Sequence, residues 1–280
     1  MPLRSKITTA ARATTRHRHE KRQLPGAFVG SVIAHRGLHF DAPENSLKAF
    51  ADASRHGLPI ELDVRQTSDG VCVILHDGDT ERLTGTRLVV EETPLKKLKK
   101  LYLHMNGEKT DEKIPTLEEL FEVVRTPVLL ELKQEVVPDH GLEKKVVEIL
   151  DRYGRGPSDI VVESFNPFCL GRWAELAPDF IRVQLTSLFR DAPMPRYKKW
   201  LLRTLMFNGT SRPDAVAVEQ GMVTPRQVRN LKRKHGYGLF VWTATSPQDV
   251  QAMYALGADA VIADVDQVFL DHLNRFKTEE

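Results

Sequence analysis

A closed (β/α)8 barrel is the fold class this sequence predicts. Three observations predict it. From Ser31 onward, short β-rich runs alternate with stretches of helical period. These strand–helix units number about eight, which argues for a parallel sheet closed on itself. Residues able to do chemistry stand at the ends of the β-rich runs, where such a barrel carries its functional face. A chain of 280 residues is long enough for one barrel undivided.

The strand candidates, in order, are residues 32–35, 59–65, 71–76, 128–132, 159–164, 181–185, 215–219, 239–243 and 260–263. Helical patterns lie between most of them. Residues 46–56 open behind a proline, and 116–124 follow Pro115 with Glu118 and Glu119 in the first turn. Residues 142–153 have apolar spacing near 3.6, while 225–235 and 247–256 both begin with proline at a first-turn position. Nine strand candidates for eight places are one too many. Asp69-Gly70, flanked by β-rich runs, is a strong hairpin signal. If 71–76 folds back along 59–65, it is an accessory hairpin strand, and His76 returns beside Glu61 or Asp63. The segment near residues 78–113 is long for a barrel connection and reads as an insertion; within it, 95–101 reads as a short amphipathic helix whose lysines face solvent.

Composition narrows the function classes. No apolar stretch approaches the roughly 18 residues of a membrane span. Cys72 and Cys169 both lie in apolar segments, so a disulfide scaffold is not expected and a reducing, cytoplasmic setting is. The net charge of +2 conceals an asymmetry: residues 1–25 carry seven Lys or Arg against Glu20, a balance of +6, which leaves −4 for the remainder. A mildly acidic body excludes nucleic acid as an expected partner. Residues 1–30 are read as a basic, disordered tail and 31–280 as one barrel domain. The tail's Arg, Thr and Ala content also suits an organellar transit peptide.

Side chains two apart on a strand share a face. Glu61 and Asp63 therefore point together, as do Glu131 and Lys133. Two carboxylates on one strand repel unless a cation lies between them, and Glu131 from the next barrel strand supplies a third ligand. An all-oxygen set points to one divalent cation, Mg²⁺ or Ca²⁺, rather than zinc. The plain alternative pairs these acids with Arg36, Arg65 or Lys133 as salt bridges, at a desolvation cost that asks for a reason. An imidazole can exchange a proton near neutrality, so His35 and His76 suit a general acid and a general base. The other histidines, His39 among them, read as structural. Arg36 offers a phosphate a bidentate fork and Lys133 a point charge.

These pieces, in order, resemble the glycerophosphodiester phosphodiesterase family of bacterial type. The matching segments are His35-Arg36-Gly37, Pro43-Glu44-Asn45-Ser46, Glu61-Leu62-Asp63-Val64, Thr67-Ser68-Asp69-Gly70, His76-Asp77 and Leu83-Thr84-Gly85. They continue through Ile114-Pro115-Thr116-Leu117-Glu118-Glu119, Glu131-Leu132-Lys133, Ser164-Phe165-Asn166-Pro167, Val241-Trp242-Thr243 and Ala260-Val261-Ile262-Ala263-Asp264. Each triplet alone is weak; the ordered set, spanning residues 31 to 270, is specific. The resemblance implies a TIM barrel with His35 and His76 as acid and base. It implies Glu61, Asp63 and Glu131 as metal ligands, and Arg36 and Lys133 at the phosphate. Trp242 becomes a wall of the substrate pocket, with Glu44 and Asn45 bracing the site from behind. The implied reaction is metal-assisted attack on phosphorus by water or by the neighbouring glycerol 2-hydroxyl, releasing sn-glycerol 3-phosphate and an alcohol.

Two departures stand out. Ala263 replaces a threonine often seen there. Glu163 stands where many members carry a neutral residue; it can add a ligand, pair with Lys133 or point into the helix layer. Beyond residue 187, the apolar run 200–207 allows two readings. One is a hydrophobic lip for lysophospholipid acyl chains, making a lysophospholipase D; the other, preferred, is a helix packed on the core. Two rivals remain. One is a non-catalytic barrel that binds a phosphorylated ligand or touches a membrane peripherally through its tail, disfavoured because every residue the family needs is present. The other, a metal-dependent sugar isomerase, rests on fold analogy alone.

Overall fold

The computed structural model of the protein describes residues 21–134, 141–190 and 194–277. Strands β1 (Val32–Ala34), β2 (Ile60–Gln66) and β3 (Cys72–Ile74) come first, followed by a two-stranded ribbon of β4 (His104–Met105) and β5 (Glu108–Lys109). Then come β6 (Val128–Leu132), β7 (Ile160–Ser164), β8 (Ile181–Thr186), β9 (Ala215–Glu219), β10 (Gly238–Ala244) and β11 (Ala260–Ala263). β1 pairs in parallel with both β11 and β2, so eight parallel strands close on themselves in the order β1-β2-β6-β7-β8-β9-β10-β11. β3 lies antiparallel on β2, with Val64 opposite Ile74. This is the (β/α)8 barrel with one accessory strand. Its strands are mainly apolar runs buried on both faces, the pattern a parallel sheet covered on each side requires.

The helices take their expected places: α1 (Leu47–Arg55), α2 (Glu81–Thr84), α3 (Leu95–Leu98), α4 (Leu117–Val123), α5 (Leu142–Arg152) and α6 (Pro167–Leu176). They continue with α7 (Arg196–Arg203), α8 (Asn208–Ser211), α9 (Pro225–Arg229), α10 (Pro247–Leu256) and α11 (Gln267–Lys277). Local chemistry sets their starts. Ser46 Oγ accepts from the Ala49 N–H, and Thr116 with Glu119 forms a reciprocal capping box. Asn166 and Ser246 cap α6 and α10, each followed by a first-turn proline. One core fills the space between strands and helices, with Phe50, Phe121 and Trp173 among its largest members. A smaller one fills the barrel interior around Ile33, Leu129, Val161, Val183 and Phe240.

Three segments refine the sequence reading. Residues 1–20 lie outside the described residues, but the stretch just before β1 is no part of a tail. Phe28 is fully buried in the barrel-interior core with Leu24 against it, and Gly30 N–H donates to Asp259 O. A side chain of that size, worth about 2–3 kcal/mol when buried, closes the floor of the barrel. The insertion at 78–113 has a satellite core of its own, from Val73 through Leu98 to Ile114, and its basic helix is a single turn, α3, with Lys96 and Lys97 exposed. The preferred reading of 200–207 as a core-facing helix holds only in part: Leu205 packs against the main core, but α7, which ends at Arg203, has no buried residue, and Leu201, Leu202 and Phe207 line the cavity at the C-terminal end of the barrel.

Candidate active site

The hairpin between β2 and β3 turns on Gly70, whose φ of +79° a side chain would resist. Thr67 N–H donates to Val71 O, and Leu75 N–H to Asp63 O, so His76 is carried back to the end of β2. Arg65 fixes it there by donating to His76 O through Nε and Nη2 at 3.0 and 2.8 Å. At the end of β1, Arg36 and Gly37 both take positive φ, 55° and 83°. A Cβ on Gly37 would meet the Ala49 backbone carbon at 2.8 Å, so only glycine lets α1 approach this loop. The turn aims the Arg36 N–H at Glu61 Oε2, 3.0 Å away.

Register then explains which acids meet. Asp63 is opposite Glu131, and Glu131 is opposite Glu163, so all three lie at one level of the inner wall, with Glu61 one step below. Four carboxylates are buried here, Glu61, Asp63, Glu131 and Glu163, against the cations Lys133 and Arg36. Lys133 Nζ bridges Asp63 Oδ1 at 3.1 Å and Glu131 Oε2 at 2.9 Å. Asn45, fully buried at positive φ, donates to Asp63 Oδ2 at 2.9 Å. Asp63 is thereby turned toward the cations. Burial opposes its ionisation, but Lys133, His76 and Arg36 hold it well below the usual carboxylate range. Among the described residues, carboxylate oxygens of Glu61, Glu131 and Glu163 lie within 4.8 Å of one another. Two of the ligands the sequence suggests, Glu61 and Glu131, are thus joined by Glu163, while the third, Asp63, stands directly opposite Glu131 at the same level. Burial and then neighbouring carboxylates push Glu61 and Glu163 well above their ordinary values. Glu131 is also raised, by burial first. Glu163 Oε2 is buried with no hydrogen-bond partner among the described residues. Three mutually repelling, hard oxygen donors, one of them orphaned, fit a divalent cation.

The two histidines flank this cluster. His35 Nδ1 is 2.7 Å from Asp264 Oδ1, and its Nε2 is 3.9 Å from Glu61 Oε2. Burial lowers the His35 pKa, with the Asp264 hydrogen bond working against it. His39 also reaches Asp264, at 3.3 Å, and these two hydrogen bonds outweigh burial to hold Asp264 well below the carboxylate range. Across the pocket, His76 Nδ1 is 2.9 Å from Asp77 Oδ1. Asp77 Oδ2 accepts from Arg82 Nε at 2.6 Å, Arg82 donates to both oxygens of Glu44, and Arg36 Nη1 donates to Glu44 Oε1 at 2.7 Å. One chain of ion pairs thus joins His76 to Arg36 through Asp77, Arg82 and Glu44.

Sequence reasoning missed Asp264, Asp77 and Arg82 as site residues. Asp264 and Asp77 each stand one residue beyond a strand end or a marked histidine, a position that could have flagged them, and Arg82 stands six beyond His76. Glu163 was marked without a direction, and its pairing with Glu131 supplies one. Above the acids opens a cavity of about 1390 Å³, walled on its far side by Phe165, Phe189 and Trp242. Phe165 meets Trp242 and Phe189 edge-on, at centroid distances of 5.6 and 5.7 Å. Trp242 Nε1 and Arg36 Nε are buried with no hydrogen-bond partner among the described residues.

Comparison with known proteins adds to this geometry. The model of the Glycerophosphoryl diester phosphodiesterase family matches residues 35–267. A glycerophosphodiester phosphodiesterase of Caldanaerobacter subterraneus subsp. tengcongensis is 30% identical over 252 residues, covering 86% of this chain and 96% of that relative. Among solved structures, an Oleispira antarctica phosphodiesterase in complex with the product sn-glycerol-3-phosphate is 30% identical, with a TM-score of 0.72 over 90% of this chain and 100% of that one. The glycerophosphodiester phosphodiesterase of Thermotoga maritima is 25% identical, with a TM-score of 0.64 over 92% of this chain and 100% of that one.

Proposed function

This chain belongs to the glycerophosphoryl diester phosphodiesterase family, a family of phosphoric diester hydrolases, and from that premise we propose that it cleaves glycerophosphodiesters to sn-glycerol 3-phosphate and an alcohol. The observation that carries this reading is the charge imbalance on the inner wall, four buried carboxylates against two cations, between two carboxylate-oriented histidines. Glu61, Glu131 and Glu163, with Asp63 beside them, would hold a divalent cation, which would supply charge neutralisation at the phosphate oxygens and activation of the attacking hydroxyl. The oxygen-only donor set favours Mg²⁺ or Ca²⁺.

The chain's own residues do the rest. Asp264 accepts the Nδ1–H of His35, which leaves Nε2 as the acceptor facing the acids. Burial keeps this imidazole neutral at neutral pH, so it can take the proton of the attacking hydroxyl. The new P–O bond forms as the P–O bond to the alcohol breaks. His76, oriented through Nδ1 by Asp77, delivers a proton from Nε2 to the departing oxygen. Attack by water gives glycerol 3-phosphate directly; attack by the glycerol 2-hydroxyl gives a cyclic phosphate that water then opens. Arg36 and the remaining N–H of Lys133 hold the phosphate. Release of glycerol 3-phosphate from glycerophosphocholine, assayed with Mg²⁺, with Ca²⁺ and with EDTA, tests the reading. Release should require the metal, and His76→Ala should lower kcat by about 10²–10⁴. Metal-independent release, or full activity in the variant, would overturn the mechanism.

A second reading rests on the apolar wall. Phe165, Phe189, Leu201 and Phe207 line the same cavity as Arg36 and Lys133, a surface a bare glycerophosphodiester does not need. It suits the acyl chain of a lysophospholipid, cleaved at the same bond as a lysophospholipase D. Leu201→Asp should then depress turnover of lysophosphatidylcholine about tenfold or more while sparing glycerophosphocholine; equal loss on both would count against it.

A further inference from the structure

Every other helix of eight residues or more buries apolar side chains, but α7 buries none. On a soluble surface this leaves Tyr197 62% exposed, Trp200 57% and, just beyond the helix, Met206 59%. At 100° per residue, Trp200, Tyr197 and Leu201 form one apolar arc of α7, and Arg196, Lys199 and Arg203 the arc beside it. Phe168, 52% exposed, extends the apolar patch by packing on Phe207 at 5.7 Å. From residue 194 to 213 there is no Asp or Glu, while Arg196, Lys198, Lys199 and Arg203 are all in α7.

We propose that α7 and the turn after it dock the protein on an anionic lipid surface, with the mouth of the active site at the interface. The chemistry fits that occupant on two counts. Tryptophan and tyrosine beside Lys and Arg is the composition that settles at the headgroup boundary. A cationic helix without acidic residues is complementary to anionic lipid, each cation near the surface strengthening binding about fivefold. An acidic protein partner would use the same cations but would not need the exposed tryptophan and methionine. Tyr197 and Leu201 belong both to the patch and to the lining of the cavity, so the docked surface and the site are continuous. Binding requires no turnover, so this inference stands or falls apart from the reaction proposed above.

Co-sedimentation of the full chain with vesicles tests it, using phosphatidylcholine alone and phosphatidylcholine mixed with phosphatidylglycerol. The wild type should bind the mixed vesicles, release them as salt is raised, and bind phosphatidylcholine alone at least about tenfold more weakly. Because residues 1–25 are basic and could hold anionic vesicles by themselves, the test turns on α7 variants. Trp200→Ser with Met206→Ser, and separately Arg196→Ser with Arg203→Ser, should each weaken binding at least about fivefold with thermal unfolding unchanged. Absence of wild-type binding, or wild-type binding by either variant, would overturn the proposal.

Discussion

Glu163 Oε2, buried and without a hydrogen-bond partner among the described residues, has a consequence that can be measured with no metal added. Glu61, Glu131 and Glu163 all have folded pKa values above their ordinary ones, so folding takes up protons. Stability of the metal-free protein therefore falls as pH rises from about 4.3, the unfolded value, through the raised folded values. Mg²⁺ or Ca²⁺ should raise Tm more at about pH 8 than at about pH 5, where protons already relieve the repulsion. Glu163→Gln removes one uncompensated charge. Metal-free thermal unfolding of that variant should rise by about 2–4 °C, and the increment added by the cation should shrink. Asp264 has the opposite sign. Its pKa is depressed, so its contribution is present above the unfolded value and is lost as pH falls through the folded one. Asp264→Asn frees His35 from its tautomer and should cut kcat by about 10²–10⁴, measured on glycerophosphocholine at saturation.

At the scale of elements, the hairpin of β2 and β3 and the loop after it hold one half of the site, and the loop after β1 holds the other. Arg82 on α2 ties them by donating to Asp77 and to Glu44. Arg82→Met should lower kcat/KM by about 10–100-fold through misplacement of His76 and Arg36, with the metal-induced rise in Tm retained. How far such elements can be read from sequence depends on whether their partners are local. The hairpin is legible because Asp69-Gly70 and the flanking alternation lie within one stretch of chain. Strands β6, β9 and β11 are legible to the residue because their apolar runs end sharply. Glu163 is not legible in direction, since a glutamate in Ile-Val-Val-Glu-Ser can face either layer until Glu131 is set opposite it. The same holds for α7, whose apolar spacing is identical whether it meets a core, a pocket or a lipid surface. Arg82 is 38 positions from Glu44 in the chain, and no local pattern reports such a pair.

For the whole molecule, closure of the barrel is uneven. β1 meets β11 through three register pairs but meets β2 only at Ala34 and Ile60. Phe28, packed in the barrel-interior core immediately before β1, compensates for that short seam. Phe28→Ala should cost about 3–5 kcal/mol by denaturant unfolding. Amide exchange should accelerate first across Val32–Ala34, ahead of the strands on the far side. The floor has a practical side as well. The Arg22 N–H donates to Asp214, just before β9, and Leu24 packs near Gly238 at the start of β10. The chain therefore enters at the end of the barrel opposite the cavity mouth. A protein tethered to a bead or sensor surface by its N-terminal segment would present its mouth outward, an orientation suited to substrates delivered on particles or vesicles.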